Sequence, residues 1–125
     1  MEKEFIPYEE ALALKELGFD EPCFGFYFPN TTLIQIHTTG FPNDKKDCVL
    51  APTFFQTFRW FREKYSLDGW VVPYHSLKGK KYSYIIEGSD FYLEYDTEEL
   101  DFDTYEEAEL ECLKKLIEIA KKDDN

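Results

Sequence analysis

The spacing of apolar residues separates helices from strands along the first half of the chain. Helical spacing between Pro7 and Gly18 predicts a first helix, because proline suits a helix start and glycine the left-handed cap after its end. Phenylalanine recurs at every second position from Phe24 to Phe28, which is the spacing of a β-strand, and a second strand-like run extends from Leu33 to His37. The turn residues between these runs predict a β-hairpin with one buried face, and residues 39–47 are predicted to form a loop.

A second helix is predicted to begin after Pro52 and to end near Tyr65. Thr53 is expected to cap its first backbone N–H groups, and Gln56, three residues later, is expected to reciprocate as in a capping box. Four aromatic residues fall in one narrow stripe at helical spacing, which we expect to face the core. They are Phe54, Phe58, Phe61 and Tyr65.

Three strands joined by short turns are predicted next, over residues 70–74, 82–86 and 91–95. Pro73 lies within the first of them. Because proline has no backbone N–H to donate to a β-ladder, we expect this strand to lie at an edge of the sheet.

The last predicted helix, over residues 104–121, has the clearest boundaries in the sequence. Thr104 and Glu107 have the spacing of a capping box, and two lysines near the other end suit the helix dipole. Two pairs at i to i+4 spacing, Glu111 with Lys115 and Glu118 with Lys122, mark the solvent side. The opposite, core-facing side is made of Tyr105, Cys112, Leu113, Leu116, Ile117 and Ile119.

These elements follow one another in the order α-β-β-α-β-β-β-α, which predicts an α+β fold with a largely antiparallel sheet packed by helices. The chain has 125 residues, which is a common size for one domain, and it shows no linker or internal repeat. We therefore expect a single domain over residues 1–125.

The net charge of −12 is unevenly distributed along the chain. Residues 53–86 hold six basic and two acidic residues, whereas residues 87–125 hold four basic and fifteen acidic residues. Such a charge opposes binding to anionic membranes and to long nucleic acids, so neither is an expected partner. The three cysteines are widely spaced, and no secretion signal is apparent, which favours a cytoplasmic protein with reduced thiols.

No motif of a known catalytic or metal site occurs in the sequence. His37 and His75 each lie at the end of a predicted strand, and we interpret them as ordinary strand-end residues. An enzyme that combines one of them with Cys48 or Cys23 is the least favoured alternative, because such a site needs convergence in space. Acidic residues at 96–103 lack the spacing of a calcium loop. We accordingly expect no catalytic residue, no metal and no cofactor.

The second helix carries bulky residues that its predicted core stripe does not use. Trp60 lies about 100° from that stripe, and Phe55 lies beside Arg59 and Arg62 on another flank. One interpretation is that a second layer of the fold covers Trp60 and Phe55. The other is a binding surface made of these four residues, since tryptophan and arginine are enriched at interface hot spots.

The following hairpin adds basic and aromatic residues that suit an anionic ligand. They are Trp70, Lys78, Lys80, Lys81, Tyr82 and Tyr84. Basic groups interleaved with aromatic rings bind nucleotides by pairing with phosphate and stacking on the base. The acidic remainder of the chain would repel a long polyanion. A small phosphorylated ligand is repelled less, because salt screens it from acidic groups more than about 10 Å away.

Three stretches of the chain resemble a family of small uncharacterised proteins encoded in bacterial and phage genomes. They run from Gly18 to Cys23, from Phe58 to Tyr65 and from Thr104 to Leu110, and with their flanks they cover about half of the chain. The resemblance implies an accessory, phage-associated, intracellular protein. It carries no activity or site residue over to this chain.

The leading functional expectation is a non-enzymatic protein that binds a host protein or a second copy of itself as a homodimer. It would act through the second helix or through its acidic face, the latter as an anti-defence protein that occupies a nucleic-acid-binding site. The alternative from another class is a protein that sequesters a nucleotide with Arg59, Arg62, Lys80, Trp70 and Tyr82.

Overall fold

The fold is α+β, with antiparallel strands packed by helices, as the sequence predicts. The structure is a computed structural model, and it describes residues 2–29, 31–37, 47–89, 92–94 and 102–123. One strand, at 49–51, was not predicted, and the strands form two sheets rather than one. The elements are α1 (Tyr8–Glu16), β1 (Gly25–Tyr27), β2 (Gln35–Ile36), β3 (Val49–Ala51), α2 (Phe54–Tyr65), β4 (Asp68–Ser76), β5 (Gly79–Glu87), β6 (Tyr92–Glu94) and α3 (Tyr105–Asp123).

Contacts among the residues group into two compact units, Met1–Thr57 and Phe58–Asp123, with the boundary inside the continuous helix α2. Each unit contains one three-stranded antiparallel sheet and one of the two remaining helices. The single domain expected over residues 1–125 stays a prediction.

The first sheet has β1 in its centre, between β2 and β3. The predicted hairpin is confirmed, because Phe26 lies opposite Gln35 in an antiparallel pair. The prediction of one buried face is wrong, since all three residues of β1 are buried. Phe5 lies against Gly25 on one side, while the Phe26 ring packs against the ring of His37 at 4.9 Å on the other. Aromatic cover on both sides replaces the expected solvent-exposed face.

Helix α1 ends in the way that its glycine predicts. Gly18 has a φ of 94°, and its N–H donates to the Lys15 carbonyl at 3.1 Å. The Phe19 N–H donates to the Leu14 carbonyl at 2.9 Å, and both of these side chains are buried. This pair of hydrogen bonds is the Schellman motif, which directs the chain from α1 towards β1.

The second sheet has the order β4-β5-β6, which confirms the predicted meander and places the proline-containing strand at an edge. Helix α3 packs on β4 and β5. A Cβ atom at Gly69 would lie 3.0 Å from the Cys112 sulfur and 3.1 Å from a Leu116 methyl group. Glycine at this position therefore lets the helix approach the sheet closely.

The predicted start of α3 is confirmed. The Thr104 hydroxyl accepts a hydrogen bond from the Glu107 N–H at 3.1 Å and donates to its carboxylate at 3.1 Å. The predicted core side is largely correct, but Tyr105 is exposed. Buried along α3 are Ala108, Cys112, Leu113, Leu116, Ile117 and Ala120. Most of the predicted loop at 39–47 and most of the acidic residues at 96–103 lie outside the described residues.

Candidate functional site

The start of α2 is fixed by contacts of Thr53 and Gln56. The Thr53 hydroxyl accepts a hydrogen bond from the Gln56 N–H at 3.1 Å, which confirms the predicted cap. The sequence also predicts that the Gln56 side chain accepts a hydrogen bond from the Thr53 backbone N–H. Its amide instead donates to the Pro22 carbonyl at 3.0 Å and to the Glu21 carboxylate at 3.3 Å. Gln56 therefore ties the helix to the segment before β1.

Three of the predicted binding residues lie along one exposed side of α2, which we call the α2 face: Phe55, Arg59 and Arg62. Spacings of four and three residues place them on the same side of a helix. Phe55 is 77% exposed. Arg59 Nε lies 4.0 Å from the Glu63 carboxylate, and Arg62 Nε lies 3.9 Å from the Asp68 carboxylate. Because all four charged side chains are about half exposed, these ion pairs are weak and can exchange partners.

Trp60, the fourth residue of the predicted helix surface, is buried. Only 6% of it is exposed, and its ring lies 5.1 Å from Phe61 and 5.7 Å from Tyr65 in edge-to-face contacts. The Lys64 ammonium lies 5.0 Å from the Trp60 ring. Trp60 is therefore not part of an exposed helix surface, whereas the interpretation that another layer of the fold covers Phe55 is wrong.

The buried side of α2 is rotated by roughly a fifth of a turn from the predicted stripe. Its fully buried residues include Thr57 and Phe61. Thr57 is tolerated there because its hydroxyl donates to the Thr53 carbonyl at 2.7 Å, one helical turn back. The other members of the predicted stripe are only partly buried: Phe54, Phe58 and Tyr65.

Two of the three lysines of the β4–β5 hairpin, Lys80 and Lys81, have side-chain contacts within their own unit. Lys81 forms a hydrogen-bonded ion pair with Asp103, which lowers the pKa of that carboxyl group. The Lys80 ammonium lies 5.6 Å from the centre of the Tyr82 ring, and that ring meets Tyr105 edge-to-face at 6.1 Å. Part of the positive charge expected for an anionic ligand is therefore already compensated.

Strand register divides the expected nucleotide-binding residues between two sides of the sheet. Trp70 lies opposite Ile85, and Tyr82 lies opposite Pro73. Because residues alternate between faces along a strand, Trp70 shares a face with Ile85, whereas Tyr82 and Tyr84 lie on the other face. Tyr84 is buried on that second face. The two strands do not place Trp70 and Tyr82 in one pocket.

The turn of this hairpin presents a residue that the sequence reasoning did not single out. Leu77 is fully exposed, next to the predicted binding residue Lys78. The Ser76 hydroxyl accepts from the Lys78 N–H at 3.1 Å and donates to the Gly79 carbonyl at 3.0 Å. Position in a two-residue turn is the signal that predicts such exposure.

His37 has structural contacts, and His75 is exposed. The His37 N–H donates to the Phe24 carbonyl at 2.7 Å, and its ring packs on Phe26. His75 is exposed on β4. Within the described part of the chain, no group of three His, Cys, Asp or Glu side chains is arranged to hold a metal ion.

Two of the three free thiols are poor nucleophiles because they are buried. Burial raises the pKa of Cys23 to about 11 and that of Cys112 to about 12, and the charge of Glu109 contributes to the latter. The Cys23 thiol also donates to the Gly25 carbonyl at 3.4 Å. A thiol in such surroundings stays protonated at neutral pH and is inert.

We expect Cys23 and Cys112 to resist alkylation by iodoacetamide in the folded protein at pH 8 and to react fully in urea. Peptide mass spectrometry locates the label. Folding raises the pKa of both thiols. Their contribution to the free energy of unfolding is therefore complete below the unfolded pKa of about 8.5, and it is lost as the pH rises towards 11–12. Equal labelling of Cys112 in native and unfolded protein would contradict its burial.

Comparison with known proteins assigns this chain to no group: no family model, curated protein or solved structure matches it. The resemblance to small proteins of bacterial and phage genomes therefore stays a prediction. Among the described helices, none combines the length and apolar character needed to cross a membrane.

Proposed function

We propose that this chain is a non-enzymatic protein that binds another protein through the α2 face. The observation that supports the proposal most directly is Phe55, a large aromatic residue that is 77% exposed in the first turn of a regular helix. Arg59 and Arg62 lie one and two turns further along the same side.

Burial of Phe55 is the main source of binding energy in this proposal. A phenylalanine side chain that moves from water into an apolar pocket contributes about 1.5–3 kcal/mol. The arginines add hydrogen bonds of fixed geometry to carboxylates, and giving up their present surface ion pairs costs little. The partner surface that fits best is therefore an apolar pocket with acidic groups beside it.

The acidic face of α3 is less suited to the same task. A protein that imitates nucleic acid needs an ordered row of unpaired carboxylates. On α3, Lys114 lies 3.4 Å from the Glu111 carboxylate, and Glu118 has ammonium groups of Lys115 and Lys122 at 3.4 and 3.7 Å. These acids alternate with cations, which favours the α2 face as the binding surface.

The proposal includes an intracellular location and an accessory role. Three buried, unpaired cysteines suit a reducing compartment, where thiols are not oxidised to disulfides. The accessory, phage-associated role rests on the resemblance of three sequence stretches alone. The raised pKa of the Cys23 thiol and the ring contact of His37 support a binding role over catalysis by a His37/Cys23 pair.

The test uses the full chain, with an affinity tag, to capture proteins from bacterial lysates. We expect Phe55→Ala, and separately Arg59→Ala with Arg62→Ala, to lose a partner that the unaltered chain retains. The free energy of unfolding should change by less than about 0.5 kcal/mol, because these side chains are on the surface.

A matched control is available in Phe24, which is another exposed phenylalanine outside α2. Phe24→Ala should retain the partner. The proposal is wrong if every protein captured by the unaltered chain is also captured by the Phe55 and arginine variants. Equal loss with Phe24→Ala would show that the α2 face is not the determinant.

A further inference from the structure

Strand β4 is a long edge strand with little in its own sequence to prevent pairing with another chain. It has nine residues and pairs with β5 along its whole length, and no other described strand pairs with it. Trp70, Pro73 and His75 are exposed along it. Natural edge strands commonly carry lysine, glutamate or proline to block pairing, because a free edge binds other strands.

The hairpin register shows which backbone groups of β4 face outward. Ser76 and Gly79 are partners across a two-residue turn, and such a closing pair exchanges both backbone hydrogen bonds. Even-numbered residues of β4 therefore direct their N–H and C=O groups to β5, and odd-numbered residues direct theirs outward. An independent contact agrees: Tyr82, which lies opposite Pro73, bonds away from β4 to Phe102, with N–H to carbonyl distances of 2.9 and 3.0 Å.

Pro73 occupies one of these outward positions, together with Gly69, Val71 and His75. It is the residue that lacks the N–H donor needed for a new ladder. Apart from Asp68 at its first position, β4 contains no lysine, arginine, aspartate or glutamate, so charge does not protect the rest of this edge. Proline is thus the protective residue present within the strand.

We infer that Pro73 prevents the β4 edge from pairing with β4 of a second copy of this chain. Two identical edges are self-complementary in an antiparallel arrangement about a two-fold axis. In that arrangement each copy lacks the backbone N–H of its own Pro73, so the pair of strands lacks two hydrogen-bond donors. The β4 edge is separate from the α2 face, and it is a surface of this chain that is kept from self-association.

The test is Pro73→Thr in the full chain, followed by sedimentation velocity across a wide concentration range. Threonine restores the N–H and suits an exposed strand position. Each pair of β4 strands regains two hydrogen bonds. The protein concentration at which the chain self-associates should therefore fall by at least about tenfold relative to the unaltered chain. Pro73→Ala, which restores the same N–H with lower strand propensity, should shift it in the same direction.

Val72→Thr is the matched control, because the N–H of residue 72 already faces β5. It should sediment as the unaltered chain does. Hydrogen exchange then identifies the edge: amides of Gly69, Val71 and residue 73 should be protected only in the associated variant. Folded Pro73→Thr and Pro73→Ala that sediment like the unaltered chain overturn the inference, as does association that leaves those amides unprotected.

Discussion

Phe61→Ala should lower the free energy of unfolding by about 3–5 kcal/mol, the range measured for deletion of a buried phenylalanine ring. Phe61 is fully buried in the middle of α2. Its ring contacts Trp60 at 5.1 Å and Tyr65 at 5.9 Å, so its removal leaves a cavity between aromatic groups that stay in place. Urea unfolding, followed by circular dichroism, measures the loss.

The same helix provides the comparison for this result. Phe55→Ala removes an identical side chain from the exposed side, and alanine is the better helix former. Its free energy of unfolding should stay within about 0.5 kcal/mol of the unaltered chain. If Phe61→Ala and Phe55→Ala had equal effects on stability, the orientation of α2 described above would be wrong.

Gly25→Ala should be nearly as damaging, although it adds only one methyl group. The new Cβ would lie 2.5 Å from a Phe5 ring carbon and 2.6 Å from the Ala51 carbonyl oxygen. The Phe5 ring has little room to turn because it lies in the packed core. The carbonyl belongs to Ala51, which is paired with Gly25 across β1 and β3. Since the backbone cannot move without disturbing the ladder, we expect a loss of about 3 kcal/mol, at the upper end for overpacking.

Gly79→Ala separates this steric effect from the effect of backbone conformation. Nothing lies within 4 Å of a Cβ at Gly79, but its φ of 110° disfavours any residue with a side chain. The expected cost there is about 1–2 kcal/mol. A change of less than about 0.5 kcal/mol for Gly25→Ala in the same urea titration would contradict the close packing of Phe5 on β1.

Local signals in the sequence were sufficient to predict where the helices begin and end. The Thr104 cap, the Thr53 cap and the left-handed Gly18 each depend on atoms within five residues, so their spacing in the sequence specifies the contacts. The hairpin at Gly79 and the edge position of Pro73 were predictable for the same reason. Most of the secondary structure could therefore be predicted.

Contacts between distant segments were not predictable from these patterns. Val49–Ala51 is a short strand whose partner, β1, lies more than twenty residues earlier, and its sequence has no periodicity of its own. The orientation of α2 was also missed, because Thr57 is buried through a local hydrogen bond that a hydrophobic pattern does not reveal. That single rotation decided which candidate residue, Trp60 or Phe55, reaches solvent.

The opposite environments of the two tryptophans give this protein two intrinsic optical probes. Trp60 is 6% exposed among aromatic rings, whereas Trp70 is 41% exposed on the edge strand β4. Fluorescence from Trp60 reports on the packing of α2, and acrylamide quenching of Trp70 reports on the accessibility of the β4 edge. Replacement of either indole by phenylalanine separates the two emissions, so core packing and edge pairing can be followed without an added dye.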